Sequence, residues 1–532
     1  MKRVVCFGTM TLLLVGLGLP ASSQTQHQIG PEVVYPIYFD TSLPVRQYPS
    51  VLPAVGPGLR VRPLPRRILP AMAIPQPDVA EQLVPLPAAS ATISHNFDGL
   101  ADSANGGLAG VPPDENLAVG STQVVEVINT SYQVFSKSTG ASVQSPRQIS
   151  SIFTGVSGLC GQGTGSPNFT DPIVLYDKAA GRWFIAIVAA NSTFSTGNEC
   201  IAVSSTSDAR GTYHRYAFAF GTNVFNDYDK FGVWPDAYYG AFNLFSPTAF
   251  LGARACAYQR SAMLAGSSAK AICFTNAKEF SFLPSDLDGA TAPPSGEPSF
   301  FLDLFSTTAL HLFKFHVDFT TPSNSKFTGP KAIGVSSFTQ ACAATGTCIP
   351  QTGTTTQLDS LGDRLMFRLA YRNLGANESL VVNHSVKTSV AAAGIRWYEI
   401  RNPNATPLVF QQSTLTSGAT SLWMGSIGMD KVGDLALGFS ESSSSIHPNV
   451  AFTGRTPSDP LNTMEGISTI FSGNGSQTGS KATGGNRWGD YSGLAIDPSS
   501  DCIFWYVSEY IPSNGNFNFH TRIASFKFPN CT

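Results

Sequence analysis

The stretch NRWGDYSGLAIDPSSDCIFWYVSEY (Asn486 to Tyr510) holds in one place a pattern that recurs along the chain. Polar residues open it (Arg487, Trp488, Asp490), and an apolar run follows (Leu494 to Ile496). Asp497-Pro498-Ser499-Ser500-Asp501 then turns the chain, and a bulkier apolar run returns (Ile503 to Val507). Short apolar runs bounded by turn residues read as strands, so this is a β-hairpin with a polar entrance. The same order stands in DPIVLYDKAAGRWFIAIVAA (Asp171 to Ala190) and in WMGSIGMDKVGDLALGFS (Trp423 to Ser440), where Asp177 and Asp430 take the place of Asp497. No segment carries a convincing amphipathic helix of ordinary length, and the pattern predicts an all-β chain.

Spacing gives the number of units. Asp177 to Asp430 is 253 positions and Asp430 to Asp497 is 67, so a unit of roughly sixty residues leaves four intervals in the first gap. Weaker copies fill it. Asp236 in FGVWPDAYYGAFN lies 59 after Asp177, Asn373 in RLMFRLAYRNLGANESLVVNH lies 57 before Asp430, and Phe301 to Phe319 occupies the slot between. Gly120, 57 before Asp177, marks one unit upstream, so seven units begin near residues 114, 171, 229, 282, 363, 423 and 488. Consecutive antiparallel hairpins predict radial repetition about a central channel: a seven-bladed β-propeller of four-stranded antiparallel blades over residues 92–532, with an array of β-sandwiches as the alternative. The last unit offers Gly493 to Ile496, Ile503 to Val507 and Thr521 to Phe528, one strand short, while Thr92 to Phe97 stands alone before the first unit. The lone strand is expected to complete the last blade and remove its open edge.

The residues before 92 read differently. Met1-Lys2-Arg3 and the apolar run after it predict a signal peptide over residues 1–23. Residues 24–91 are dominated by proline, as in LPVRQYPSVLPAVGPGLRVRPLPRRILP, which favours extended polyproline geometry and predicts a Pro-rich linker or leader. Its RVRPLPRR run offers a contact to an acidic surface. Only 13% of residues are charged while 11% are aromatic, and the net charge of −2 carries no long block of one sign, so nothing in it suggests nucleic acid or an anionic membrane surface as partner. No later segment is apolar for long enough to cross a bilayer, so a secreted, periplasmic or extracellular monomer is expected after signal cleavage. Setting Cys6 aside leaves eight cysteines in local couples: Cys160 with Cys200, Cys256 with Cys273, Cys342 with Cys348, and Cys502 with Cys531. Without a CxxC, zinc ligation by these cysteines is the poorer reading, although eight cysteines allow about 105 pairings.

Familiar catalytic signatures are missing: no G-x-S-x-G, no H-E-x-x-H and no P-loop. The Gly-rich GVSGLCGQGTGS (Gly155 to Ser166) reads as a loop, and His311 and His316, five apart on one strand, point to opposite faces. Ser285-Asp286-Leu287-Asp288-Gly289 resembles a fragment of a calcium loop but lacks the other oxygen donors, so it reads as an Asx-type turn; no cofactor is expected beyond a structural calcium there. What recurs is polar chemistry at the entrance to the innermost strand of each unit: Asp114, Asp171, Asp229 with Lys230, Asp363 with Arg364, Trp423, and Arg487, Trp488, Asp490 and Tyr491. Such aspartates commonly accept backbone N–H bonds and hold neighbouring blades in register. Two or three exceptions would suffice for a site, with carboxylates as acid and base, aromatics to stack on sugars and cations to orient acidic groups.

The motifs PPDENLAVG, DPIVLYDKAAGRW, NDYDKFGVWPDAYY, LDSLGDRLMFRLAYRN, GIRWYEIR, WMGSIGMD and NRWGDYSGLAIDP resemble a largely uncharacterised family of exported bacterial proteins, similar in fold to the sialidase-like propellers. The likeness runs from about residue 93 to the C-terminus and implies a propeller. Of the S-x-D-x-G-x-T-W turns that sialidase-type propellers repeat, the nearest match is STSDARGTYHRY (Ser205 to Tyr216). The expected function is binding of a glycan or other extracellular ligand, a polysaccharide or glycoprotein, at the axial channel mouth through Asp171, Asp229, Lys230, Arg364, Trp423, Arg487, Trp488, Asp490 and Tyr491. The alternative is a sialidase-like glycoside hydrolase or lyase using the same carboxylates.

Overall fold

The computed structural model describes residue 1 and residues 28–48, 66–71, 77–84, 86–105, 112–161, 169–479 and 486–532. The stretch read as a signal peptide, beyond Met1, and the part of the Gly-rich loop from 162 to 166 lie outside the described residues.

The chain is built of antiparallel hairpins arranged as a β-propeller. Asn116–Val119, Gln123–Val127, Ser131–Ser136 and Ser142–Gln148 pair in that order as a four-stranded sheet. Two five-stranded sheets follow, one beginning with Phe169–Asp177 and one with Phe225–Val233. Next comes a nine-stranded sheet, joined in its middle where Leu283–Asp288 runs parallel to Met366–Asn373. Two four-stranded sheets end the series, beginning with Ser421–Met429 and Gly493–Ile496. The first strands of successive units pack one on the next around an axis, and Gly493–Ile496 packs on Asn116–Val119 to close the circle. Sandwiched on both faces, these strands are buried almost throughout; every residue of Phe225–Val233 and Ser421–Met429 is buried. Strands at the rim alternate, as in Thr92–Ala101.

The repeating aspartates have a local cause. Asp177 accepts the N–H of Ala180 at 3.1 Å, Asp497 that of Ser499 at 2.7 Å, and Asp430 those of Val432 and Asp434 at 2.9 Å. Each is the Asx turn that brings the second strand back. The lone upstream strand, Thr92–Ala101, pairs antiparallel with His520–Lys527 and completes the sheet that holds Cys502. All four expected disulfides form: Cys160–Cys200, Cys256–Cys273, Cys342–Cys348 and Cys502–Cys531.

Two features differ from the expectation. Ser285 to Asp288 is strand rather than turn, paired with Leu369 to Arg372, and both aspartates are committed to Arg368. The Pro-rich leader, where described, is no free spacer. Gln28–Val34 adds to the outer edge of the sheet holding Ala271–Asn276, and Tyr38–Thr41 to the edge of Tyr213–Ala219. Proline is tolerated on an edge strand because its missing N–H can face solvent, so a Pro-rich segment suits this place. Farther on, Arg66 and Arg67 meet acids of the chain itself, Asp359 and Asp303, and Leu69 is buried.

Candidate functional site

The strand entrances converge at one end of the axis, and every predicted site residue lies there, buried. A run of bracket contacts links the units. Asp114 accepts the N–H of Asp490 at 2.8 Å and the side-chain amide of Asn129 at 2.6 Å. Asn129 in turn accepts the N–H of Asp171 at 2.8 Å, and Asp171 accepts the N–H of Tyr228 at 3.1 Å. Asp114, Asp171, Tyr228 and Met424 all take positive φ, between 50° and 56°; Asp114 just precedes its strand, and the other three sit at the register shift within theirs. At Asp171 and Tyr228 this kink turns the backbone N–H towards the preceding unit's amide or carboxylate, the strain being offset by the hydrogen bond it permits.

Inside that bracket lies a packed cluster of charge. The Lys230 ammonium sits 3.7 Å from the centre of the Tyr228 ring and 4.0 Å from that of Tyr491, and donates to the Asp229 carbonyl at 2.7 Å. Burial pushes the Lys230 pKa down, against the pull of Asp229, Asp171, Asp114 and Asp490. Arg364 makes a forked contact to Asp363, at 2.8 and 3.2 Å, and its guanidinium lies 4.6 Å from the Tyr228 ring. Arg487 bridges Asp490 and Asp359. Trp488 donates its indole N–H to Ser440 at 3.0 Å and its backbone N–H to Asp359 at 3.1 Å, with Trp423 tilted against it at 5.6 Å. Tyr491 donates to the Pro172 carbonyl at 3.1 Å.

Asp229 stands apart. It is 0% exposed, and neither carboxylate oxygen has a hydrogen-bond donor among the described residues. Its neighbour Glu199, also 0% exposed, receives the Asn226 amide on one oxygen at 3.0 Å and has no donor on the other among the described residues. Burial pushes both pKa values well up; Asp171 adds to the rise in each, joined by Asp227 for Asp229 and by Asp229 for Glu199, while Lys230 opposes it. Buried polar atoms are ordinarily satisfied, and three oxygens of this pair have no donor among the described residues.

The opposite end of the axis holds an open cavity of about 80 Å³ that the sequence reading missed. Arg368 crosses it, donating to Asp286 at 3.1 Å, to Asp288 at 2.7 Å and to the Leu494 carbonyl at 3.0 Å. Arg372 pairs with Asp501 at 2.7 Å, and the Lys178 ammonium at the rim has no hydrogen-bond partner among the described residues. The signal was present in MFRLAYRN, where two arginines four apart share one face of an otherwise apolar strand. Burial at an axis turns such a face into channel lining.

Fold and site together define the class: an all-β propeller with a charged axis. No protein-family model matches the chain, and no curated protein matches it in sequence. Solved structures do. An α-L-arabinanase of Penicillium chrysogenum complexed with arabinobiose is 8% identical over 83% of this chain and 100% of its own, with a TM-score of 0.38. The sialidase of Trypanosoma rangeli in complex with sialic acid is 12% identical over 68% of this chain and 54% of its own, with a TM-score of 0.31. An α-L-arabinofuranosidase of Lactobacillus brevis is 10% identical over 68% of this chain and 91% of its own, at 0.29. Among the described residues no helix is long and apolar enough to cross a membrane, and four disulfides fit an oxidising, extracellular compartment.

Proposed function

We propose that this protein is a secreted seven-bladed propeller, residues 92–532 after a leader, that binds an extracellular glycan at the strand-entrance end of its channel. In this reading the nine-stranded sheet counts as two blades sharing a parallel seam. The observation that carries the site is the Asp229–Glu199 pair, wholly buried with three oxygens lacking donors among the described residues. A sugar supplies many O–H donors and accepts from a cation such as Lys230, and its hydroxyls are neutral, so a polyhydroxyl ligand suits a site where further charge is costly. Asp114 and Asp171 are spent on groups of the chain itself, Asp114 on a backbone N–H and Asp171 on a backbone N–H and the Thr170 hydroxyl, so Asp171 is a bracket rather than an acceptor for the sugar.

The second reading, a glycoside hydrolase, is favoured by the raised pKa of Asp229 and Glu199. A carboxyl that keeps its proton near neutrality can serve as general acid while a partner acts as base or nucleophile. One experiment separates the readings: a glycan array beside a polysaccharide-release screen, on wild type and on Asp229→Asn. Binding without release, lost in the variant, supports the binding module; release lost in the variant supports the hydrolase. A wild type that engages no glycan in either screen overturns both.

A further inference from the structure

Away from the axis, on the unit that begins at Leu283, three potential metal ligands converge. Asp303 on Ser299–Ser306 and His311 on Ala309–His316 face each other as direct cross-strand partners, so both side chains leave the same face of one hairpin. Glu279 arrives from the segment that leads into this unit. One ligand atom from each of the three lies within 4.8 Å of the others, and exposure is 3% for Glu279, 0% for Asp303 and 8% for His311. His311 Nδ1 is 3.1 and 3.2 Å from the two Glu279 oxygens, and the imidazole is stacked at 3.7 Å on Phe305, which fixes its plane. Arg67 of the leader lies 3.3 Å from Asp303 Oδ1. Asp303 Oδ2, in a side chain with no exposure, receives no hydrogen bond among the described residues.

Two carboxylates brought together without water repel one another, and one guanidinium on the outer oxygen of Asp303 compensates only part of that charge. The arrangement has the parts of a metal centre: ligands preset on a rigid hairpin, an imidazole held in orientation, and an arginine steadying a carboxylate from behind. We propose that Glu279, Asp303 and His311 bind one divalent transition-metal ion of the zinc class, completed by water. An imidazole with two carboxylates favours zinc or manganese over calcium, which takes oxygen ligands in larger number. This site is separate from the glycan reading and does not depend on it.

The test uses the full chain, stripped of metal by chelation and titrated calorimetrically with Zn²⁺ alone, then with Ca²⁺ alone. One Zn²⁺ per chain is expected, with Ca²⁺ at least tenfold weaker. Asp303→Asn and His311→Gln should each weaken Zn²⁺ at least tenfold while leaving the melting temperature of the stripped protein within a few degrees. Co²⁺ in place of Zn²⁺ gives a second readout: a visible absorption band in the wild type, lost in Asp303→Asn even if His311→Gln fails to fold. Absence of Zn²⁺ binding, or binding that neither variant weakens, overturns the proposal; the first outcome would mean that a shared proton joins the two carboxyls.

Discussion

A buried carboxylate either completes the hydrogen bonds of its neighbours or waits for a partner from outside, and the two kinds respond differently to substitution. Asp171 is of the first kind. In Asp171→Ala the N–H of Tyr228 and the hydroxyl of Thr170 lose their acceptor inside a dry bracket, and the expected cost is about 1 to 3 kcal/mol, measured by urea denaturation at neutral pH. Asp229 is of the second kind. Its carboxyl supports no neighbour by hydrogen bond among the described residues, so Asp229→Asn should not lower the melting temperature. Equal destabilisation in the two variants would place Asp229 among the brackets and remove the main support for the site. At this scale the sequence was partly legible. A polar residue just ahead of an apolar run announced Asp171, Asp229, Arg364 and Asp490, but Glu199 lies within an otherwise apolar strand, GNECIAVS, and only packing brings it to Asp229.

At the scale of elements, the closing strand Thr92–Ala101 is held by more than its ladder. Glu126, wholly buried on Gln123–Val127, accepts the N–H of Leu100 at 2.8 Å and the hydroxyl of Thr521, so one carboxyl joins the first unit to both outer strands of the last. Gly99 is needed there, because a Cβ at this position would lie 2.4 Å from a Glu126 oxygen. Burial raises the Glu126 pKa from 4.5 to about 7, with both hydrogen bonds lowering it less. The folded state therefore holds this proton more tightly than the unfolded chain, and its contribution is fully present below the unfolded value and lost as pH rises through the folded one. Between about pH 4.5 and 7 the loss amounts to about 3 kcal/mol. Glu126→Gln should flatten that part of the profile, read as the difference between variant and wild-type urea midpoints across the window. A difference that stays constant with pH would show that Glu126 ionises normally in the folded protein.

For the whole molecule, closure is the matter that decides stability. The last sheet takes its outermost strand from the beginning of the described propeller, and Cys502–Cys531, 29 positions apart, pins the chain end beside it. In the chain-entropy account a loop of this length contributes about 3 to 4 kcal/mol, and the Cys502→Ala/Cys531→Ala double variant should lose that amount in denaturant unfolding. A loss below about 1 kcal/mol would mean that the strand ladder alone secures the ring. Leader strands cover two rim edges that would otherwise present unpaired backbone groups.

The sequence by itself determined the repeat, the hairpins and their Asx turns, the cysteine couples and the strand missing from the last unit. All of these follow from local periodicity, from turn chemistry, or from counting. Tertiary structure alone decided which polar residues meet. Asp286 and Asp288 read as a turn because the fragment is short and polar, yet Arg368, about eighty positions away, draws both into a strand at the axis. The leader's Arg66 and Arg67 read as ligands for a foreign acidic surface, but acids of the same chain reach them first. Charge pairing at the axis joins residues far apart in sequence, and no periodicity encodes which carboxylate is left without a donor.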